Sequence, residues 1–254
     1  MGWLDNITNS LLTLFTMLSP HRSSPRNRPI AKITVHHNAG NILLRALGEW
    51  LARLTTRASY NYGISTAGES AQFVDERDRS WASSSRENDN AAVTIGVANN
   101  RLAPYWTVSA AAWNKLIELC VDICYRNPGI VQQDGTRGLW YDGTPRGSLT
   151  THDMFARTVC PGPYLKARMP ELCREVNRRL AEILEEENMP RINNINEVPP
   201  VHQPMIRRLI AQGVIRGNGN VDAEGLPADM DLTLDMIRQM AFTERMISRS
   251  EIGQ

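Results

Sequence analysis

Lysine is nearly missing from this chain: Lys32, Lys115 and Lys166 stand against 25 arginines, out of 28 basic residues in all. With 27 acidic residues the formal net charge is only +1. Holding a nucleic-acid backbone needs a concentrated basic face, so the balance excludes nucleic acid as a partner. The one local cluster, Arg22, Arg26 and Arg28, falls in a Ser/Pro-rich stretch and is expected to be a solvated loop. Cysteine is scarce too. Four in 254 residues cannot build a disulfide scaffold. Long apolar runs are also lacking, which excludes a membrane span. The moderately apolar first eighteen residues are broken by Asp5, Asn6 and Asn9, with no basic start and no small-residue cleavage site before Pro20. No secretory signal is expected, so the chain stays in the compartment where it is made until something releases it.

What is present is a folded chain, 42% hydrophobic. Residues 30–36 alternate and predict a strand ending at His36. Leu43, Leu44, Leu47, Trp50, Leu51 and Leu54 mark one face of a helix. Residues 59–65 and 71–74 flank Gly68 as a hairpin, and 92–98 read as a buried strand. Ser109 opens a helix with Trp113, Leu116, Ile117, Cys120, Val121 and Cys124 inside. Residues 128–151 read as one long loop. A helix then runs from 163 to about 188, kinked or restarted at Pro170, with Leu172, Val176, Leu180, Ile183 and Leu184 as its seam. Cys120, Cys124 and Cys173 read as buried free thiols, whereas Cys160 lies in a Val-Cys-Pro-Gly turn and needs another explanation.

These elements imply an α/β fold, a mixed central β-sheet flanked by helices. The expected organisation is a domain over 1–188, a linker over 189–200 rich in Pro and Asn, and a small helical C-terminal module over 201–254. In that module helices are expected over 204–212 and 233–247.

The chemistry-bearing residues are His36 and His37 at a strand end, and His152 with Cys160 in a Thr-His-Asp to Cys-Pro-Gly loop. Two imidazoles and a thiolate are the ligand types of a catalytic zinc site, which leaves its fourth position to water. The spacing of eight between His152 and Cys160 is not that of a closed structural finger.

Four segments in order, TVHHNAG at 34–40, SYNYGI at 59–64, VDERDRSWA at 74–82 followed by VTIGVAN, and THDMFARTVCPGPYL at 151–165, resemble the type 2 zinc-dependent N-acetylmuramoyl-L-alanine amidases. That family includes bacteriophage endolysins and peptidoglycan recognition proteins. The resemblance covers roughly residues 14–187. It implies one zinc ion on His36, His152 and Cys160, with Tyr60 reaching the metal-bound water from the next strand. Tyr62 is placed on the same face as Tyr60 but at a core position. Thr158, two residues before the cysteine, takes the place that other members fill with Thr or Lys.

The implied reaction is hydrolysis of the amide between muramic acid and L-alanine, with zinc polarising the carbonyl and lowering the pKa of a water toward about 7. His37 is either a substrate contact or a bystander, Trp81 either lines the glycopeptide groove or joins the core, and Arg86 either pairs with a stem-peptide carboxylate or is solvated. The biological setting implied is host lysis by a phage endolysin made in the bacterial cytoplasm and acting at the cell wall after release, with residues 201–254 binding wall polymer or self-associating. The alternative is a recognition protein that binds muropeptides without cutting them.

Overall fold

The alternation that marks the strands sorts them onto two unlike faces of one sheet. In the computed structural model, which describes residues 2–234 and 236–241, the elements of the first part of the chain are β1 (Arg22–Ser23), β2 (Lys32–His37), α1 (Leu44–Ala52), β3 (Tyr62–Ile64), β4 (Ser70–Gln72), β5 (Arg79–Ser80), α2 (Arg86–Ala91), β6 (Ala92–Val97), α3 (Ala110–Arg126), β7 (Leu149–Thr151) and α4 (Pro163–Asn188). The main sheet has the order β4-β3-β6-β2-β7, and β1 pairs with β5 in a separate ribbon. Within the main sheet β3, β6, β2 and β7 are parallel and β4 is antiparallel to β3. The sheet is therefore mixed and flanked by helices, as expected.

One face carries Ile33, Val35, Val93, Ile95, Tyr62 and Ile64, all buried without remainder. A continuous apolar face of this kind is what a sheet covered by helices on that side requires. Helix α3 packs against β3 and β6. It starts where Ser109 accepts the Ala112 amide at 3.0 Å, a serine N-cap that satisfies one orphan donor. Arg168 of α4 stacks at 3.8 Å over the Trp113 ring of α3. The other face is polar in its middle: Thr34 and Thr150 hydroxyls meet at 2.9 Å, and Thr94 meets Ser80 at 2.7 Å. Towards β4 this face is covered by α1, whose Leu44 and Leu47 lie over Gly63 and Phe73.

Four expectations are corrected. Arg26 is not a solvated loop residue: it is 1% exposed, and its guanidinium donates to the carbonyls of Glu76 at 2.6 Å, Asn90 at 2.7 Å and Asp78 at 3.1 Å. The long loop is shorter than expected, because Leu149–Thr151 adds to the edge of β2 as β7. The long helix continues through Pro170 and does not restart there, and its expected seam residue Ile183 is 37% exposed. Tyr62 does not share a face with Tyr60. Its hydroxyl donates to the buried Glu76 at 2.6 Å on the α3 side, where Arg126 pairs with the same carboxylate at 2.7 Å, whereas Tyr60 packs with the α1 cluster.

The chain divides into two compact units, Met1–Ile183 and Leu184–Gln254. The second contains α5 (Gln203–Ala211) and helical residues 236–241, the latter capped by the Thr233 hydroxyl on the Met236 amide at 3.2 Å. Its core includes Ile206, Ile215, Leu232 and Ile237. Residues 189–200 fold into this unit, with Ile195 and Val198 buried in the same core. The part of the expected second helix from Phe242 to Ile247 lies outside the described residues. No described helix is long and apolar enough to cross a membrane.

Candidate metal centre

β2 delivers His36 to the polar face one residue before its C-terminal end, in register with Gly96 of β6. The glycine is a steric requirement: a Cβ there would stand 2.4 Å from Asn38 Oδ1 and 3.0 Å from the Tyr60 ring. Into that space comes Tyr60, two residues ahead of β3, its ring centroid 5.2 Å from that of His36. From the other side β7 hands His152 to the same place, with ring centroids 4.8 Å apart. Cys160 closes the group. Its Sγ lies 3.7 Å from His36 Nδ1 and accepts the His37 amide at 3.3 Å.

The His152–Cys160 loop is pinned by its own backbone. Asp153 donates its amide to the Cys160 carbonyl at 3.0 Å, and the Thr158 hydroxyl accepts the Cys160 amide at 3.2 Å. The Asp153 carboxylate takes the Thr151 hydroxyl at 2.6 Å and pairs with Lys166.

One ligand atom from each of His36, His152 and Cys160 lies within 4.8 Å of the other two. His36 is fully buried and Cys160 is 7% exposed. Burial holds the His36 imidazole well below its ordinary pKa, reinforced by His152 and His37, and holds His152 below its own. The Cys160 thiol is pushed up by burial to about 12. His36 Nε2 and His152 Nε2 have no hydrogen-bond partner among the described residues. Unpaired buried nitrogens are costly, about 1–3 kcal/mol each.

A divalent cation fits this donor set. Neutral imidazoles are ready ligands, and a cation would stabilise the thiolate that burial otherwise disfavours. His36 Nδ1, 3.7 Å from Cys160 Sγ, is the nitrogen placed to share an ion with the thiolate. Mixed imidazole and thiolate ligation suits zinc among the common metals.

The remaining sequence candidates lie at different distances from this group. His37 is in the adjacent strand position, its ring edge-on to Trp106 at 4.6 Å and its pKa lowered mainly by burial, with Asn99 opposing. Tyr60 is half-buried, and burial followed by the nearby Cys160 raises its pKa, so the phenol keeps its proton. Trp81 is not brought to the cluster: it stands at the β1–β5 ribbon, its indole N–H donating to Ser23 Oγ at 3.0 Å and its ring tilted against His21. Arg86 is the exposed first residue of α2, which leads into β6 at Ala92. Ala92 is four residues before Gly96 in that strand, about 13 Å away at the strand rise.

The sequence offers Asn38 and Asp153 as groups behind the ligands, and two further neighbours, Asn99 and Trp106, escaped it. Asn38 donates to the Gly96 carbonyl at 3.3 Å and leaves Oδ1 unpaired among the described residues. Asn99 holds the Trp106 carbonyl at 3.0 Å, and Trp106 sits at φ +48 against Gly162. Its place beside the His-His pair was the signal for Asn38; nothing in the pattern marked Asn99 or Trp106.

The sequence profile of the family described as N-acetylmuramoyl-L-alanine amidase matches residues 26–163. No curated protein sequence matches the chain. Among solved structures, the N-acetylmuramoyl-L-alanine amidase LysC from Clostridium intestinale URNW is 16% identical with a TM-score of 0.46, covering 67% of this chain and 99% of its own. The Ph2119 endolysin from the Thermus scotoductus MAT2119 bacteriophage Ph2119 is 18% identical with a TM-score of 0.43, covering 59% and 88%. The Drosophila peptidoglycan recognition protein SA is 18% identical with a TM-score of 0.41, covering 57% and 81%. The profile spans β2 through the start of α4 and takes in His36, Tyr60, His152 and Cys160, so the chain belongs to the N-acetylmuramoyl-L-alanine amidase family.

Proposed function

We propose that the protein is a peptidoglycan hydrolase that cleaves the amide between N-acetylmuramic acid and the L-alanine of the stem peptide, with one zinc ion held by His36, His152 and Cys160. The observation that carries this reading is the convergence of those three side chains at the end of β2, in a chain of this family. Zinc, when bound, supplies a Lewis acid for the amide carbonyl and brings the pKa of a water toward neutrality.

The chain's own groups complete the chemistry. Tyr60 keeps its proton at neutral pH and stands beside His36, so it donates a hydrogen bond to the oxygen that gains charge as the amide is attacked. Thr158 accepts the Cys160 amide, which leaves its hydroxyl proton free to donate toward the same oxygen. Gly96 keeps the space in which Tyr60 lies against His36. Asp153, through Thr151 and Lys166, fixes the turn that bears His152. His37 packs its ring on Trp106 and donates its backbone amide to Cys160 Sγ, which holds the thiol in place.

An amidase unit followed by a small C-terminal module that takes in residues 189–200 fits an endolysin that is made in the bacterial cytoplasm, acts at the wall after release and lyses a phage host. The module then binds wall polymer or self-associates. The test is incubation with disaccharide-peptide fragments of peptidoglycan followed by mass spectrometry. Free stem peptides beginning at L-alanine are expected. Retained binding with no cleavage would replace the enzyme by a muropeptide-binding recognition protein.

A further inference from the structure

Lys32, Thr34 and His36 share one face of β2, because side chains alternate with a period of two. Asn88 covers Thr34, its Nδ2 donating to Thr34 Oγ1 at 2.9 Å. Lys32, about 13 Å back along the strand from His36, lines a separate cavity of about 210 Å³. Arg28, Glu87, Asn88, Pro145 and Phe155 are among its other walls. Phe155 directly follows the turn that begins at His152, and its amide donates to the His152 carbonyl at 3.0 Å. The strand that carries one metal-centre histidine and the residue that follows the turn carrying the other both border this cavity.

Its chemistry is that of a receptor for an anion with a neighbouring N–H. The Lys32 ammonium is tethered to the Pro145 carbonyl, and burial together with Arg28 holds its pKa below the ordinary value, with Glu87 and Asp142 opposing. Arg28 is half exposed, 3.4 Å from Glu87. Asn88 is 4% exposed, its amide nitrogen engaged by Thr34 and Ser83, while Oδ1 has no partner among the described residues. The volume falls below that of pockets enclosing a drug-sized ligand and suits the end of a peptide.

We propose that this cavity is a second subsite for the stem peptide: Lys32 and Arg28 take a free carboxylate, and Asn88 Oδ1 accepts the adjoining N–H. The inference rests on the amidase reading. An extended peptide advances about 3.3 Å per residue, so the separation from His36 places that carboxylate about four residues from the bond at the metal centre. Arg86, the carboxylate partner expected from sequence, is not among the lining residues.

Calorimetric titration of the full chain with a synthetic stem tetrapeptide tests the assignment, using a free C-terminal carboxylate in one arm, a carboxamide in a second and inorganic phosphate in a third. The free acid is expected to bind about tenfold more tightly than the carboxamide. Arg28→Met and Lys32→Met are each expected to erase that difference, with thermal unfolding confirming that the variants fold. Equal binding of acid and carboxamide overturns the subsite, as does phosphate binding as tightly as the free acid, which marks a general anion pocket. Cleavage of muropeptides is read separately: a protein that cleaves without distinguishing the two peptides loses only the subsite. One that distinguishes them without cleaving loses only the amidase reading.

Discussion

His36 Nδ1 and Cys160 Sγ lie 3.7 Å apart although 124 residues separate them in the chain. The separation is closed by the parallel pairing of β7 on β2, which sets Thr151 opposite Val35 and so delivers His152 and the Cys160 turn to the strand end. If the pair holds metal, Cys160→Ser should lower zinc affinity by at least tenfold and abolish hydrolysis. Zinc content after dialysis and turnover of the same sample are the two readings; full turnover in the serine variant would remove Cys160 from the ligand set.

Tyr60→Phe deletes one hydroxyl and keeps the ring that packs on His36. Loss of a donor to developing negative charge costs about 10²-fold in kcat with KM nearly unchanged. Zinc content should equal that of the parent. A KM effect alone would make the tyrosine a substrate contact instead.

Gly96→Ala tests the same tyrosine from the opposite strand. The added methyl cannot coexist with Asn38 and Tyr60 in their present places, so one of them must move. The expected result is a kcat lowered towards that of Tyr60→Phe, and little further loss when the two substitutions are combined. Fully multiplicative losses would place the two residues in independent roles.

Arg26→Met should destabilise the first unit by about 3 kcal/mol or more, since several buried carbonyls lose their donor at once. Burial holds this guanidinium down to a pKa of about 10, against the pull of Glu76 and other acids, which is the signature of a charge kept inside for its hydrogen bonds. Urea unfolding measures the change. A shift within about 0.5 kcal/mol would return the residue to an ordinary surface role.

Much of this was legible because the signals were local. The alternation of β2, the Gly68 hairpin and the Ser109 cap each depend on a few neighbouring residues, and the structure has all three. His36, His152 and Cys160 were singled out by residue type and by family resemblance, and the fold brings them together. What escaped depends on distant partners. Arg26 looks solvated until two separate segments, around Glu76–Asp78 and at Asn90, present it with carbonyls. The short Leu-Thr-Thr of β7 becomes a strand only because β2 offers an edge. Tyr60 and Tyr62, two apart, would share a face in a regular strand, but β3 begins only at Tyr62, so the alternation does not reach back to Tyr60. Trp81 found Ser23 and His21, partners that no local pattern announces.

The central claim is that zinc on His36, His152 and Cys160 enables amide cleavage at L-alanine. Digestion of purified peptidoglycan before chelation, after chelation and after zinc is returned, with products read by mass spectrometry, tests it most directly. Stem peptides beginning at L-alanine should be present in the first digest, missing from the second and restored in the third. Undiminished release from the chelated, zinc-free protein would contradict the account.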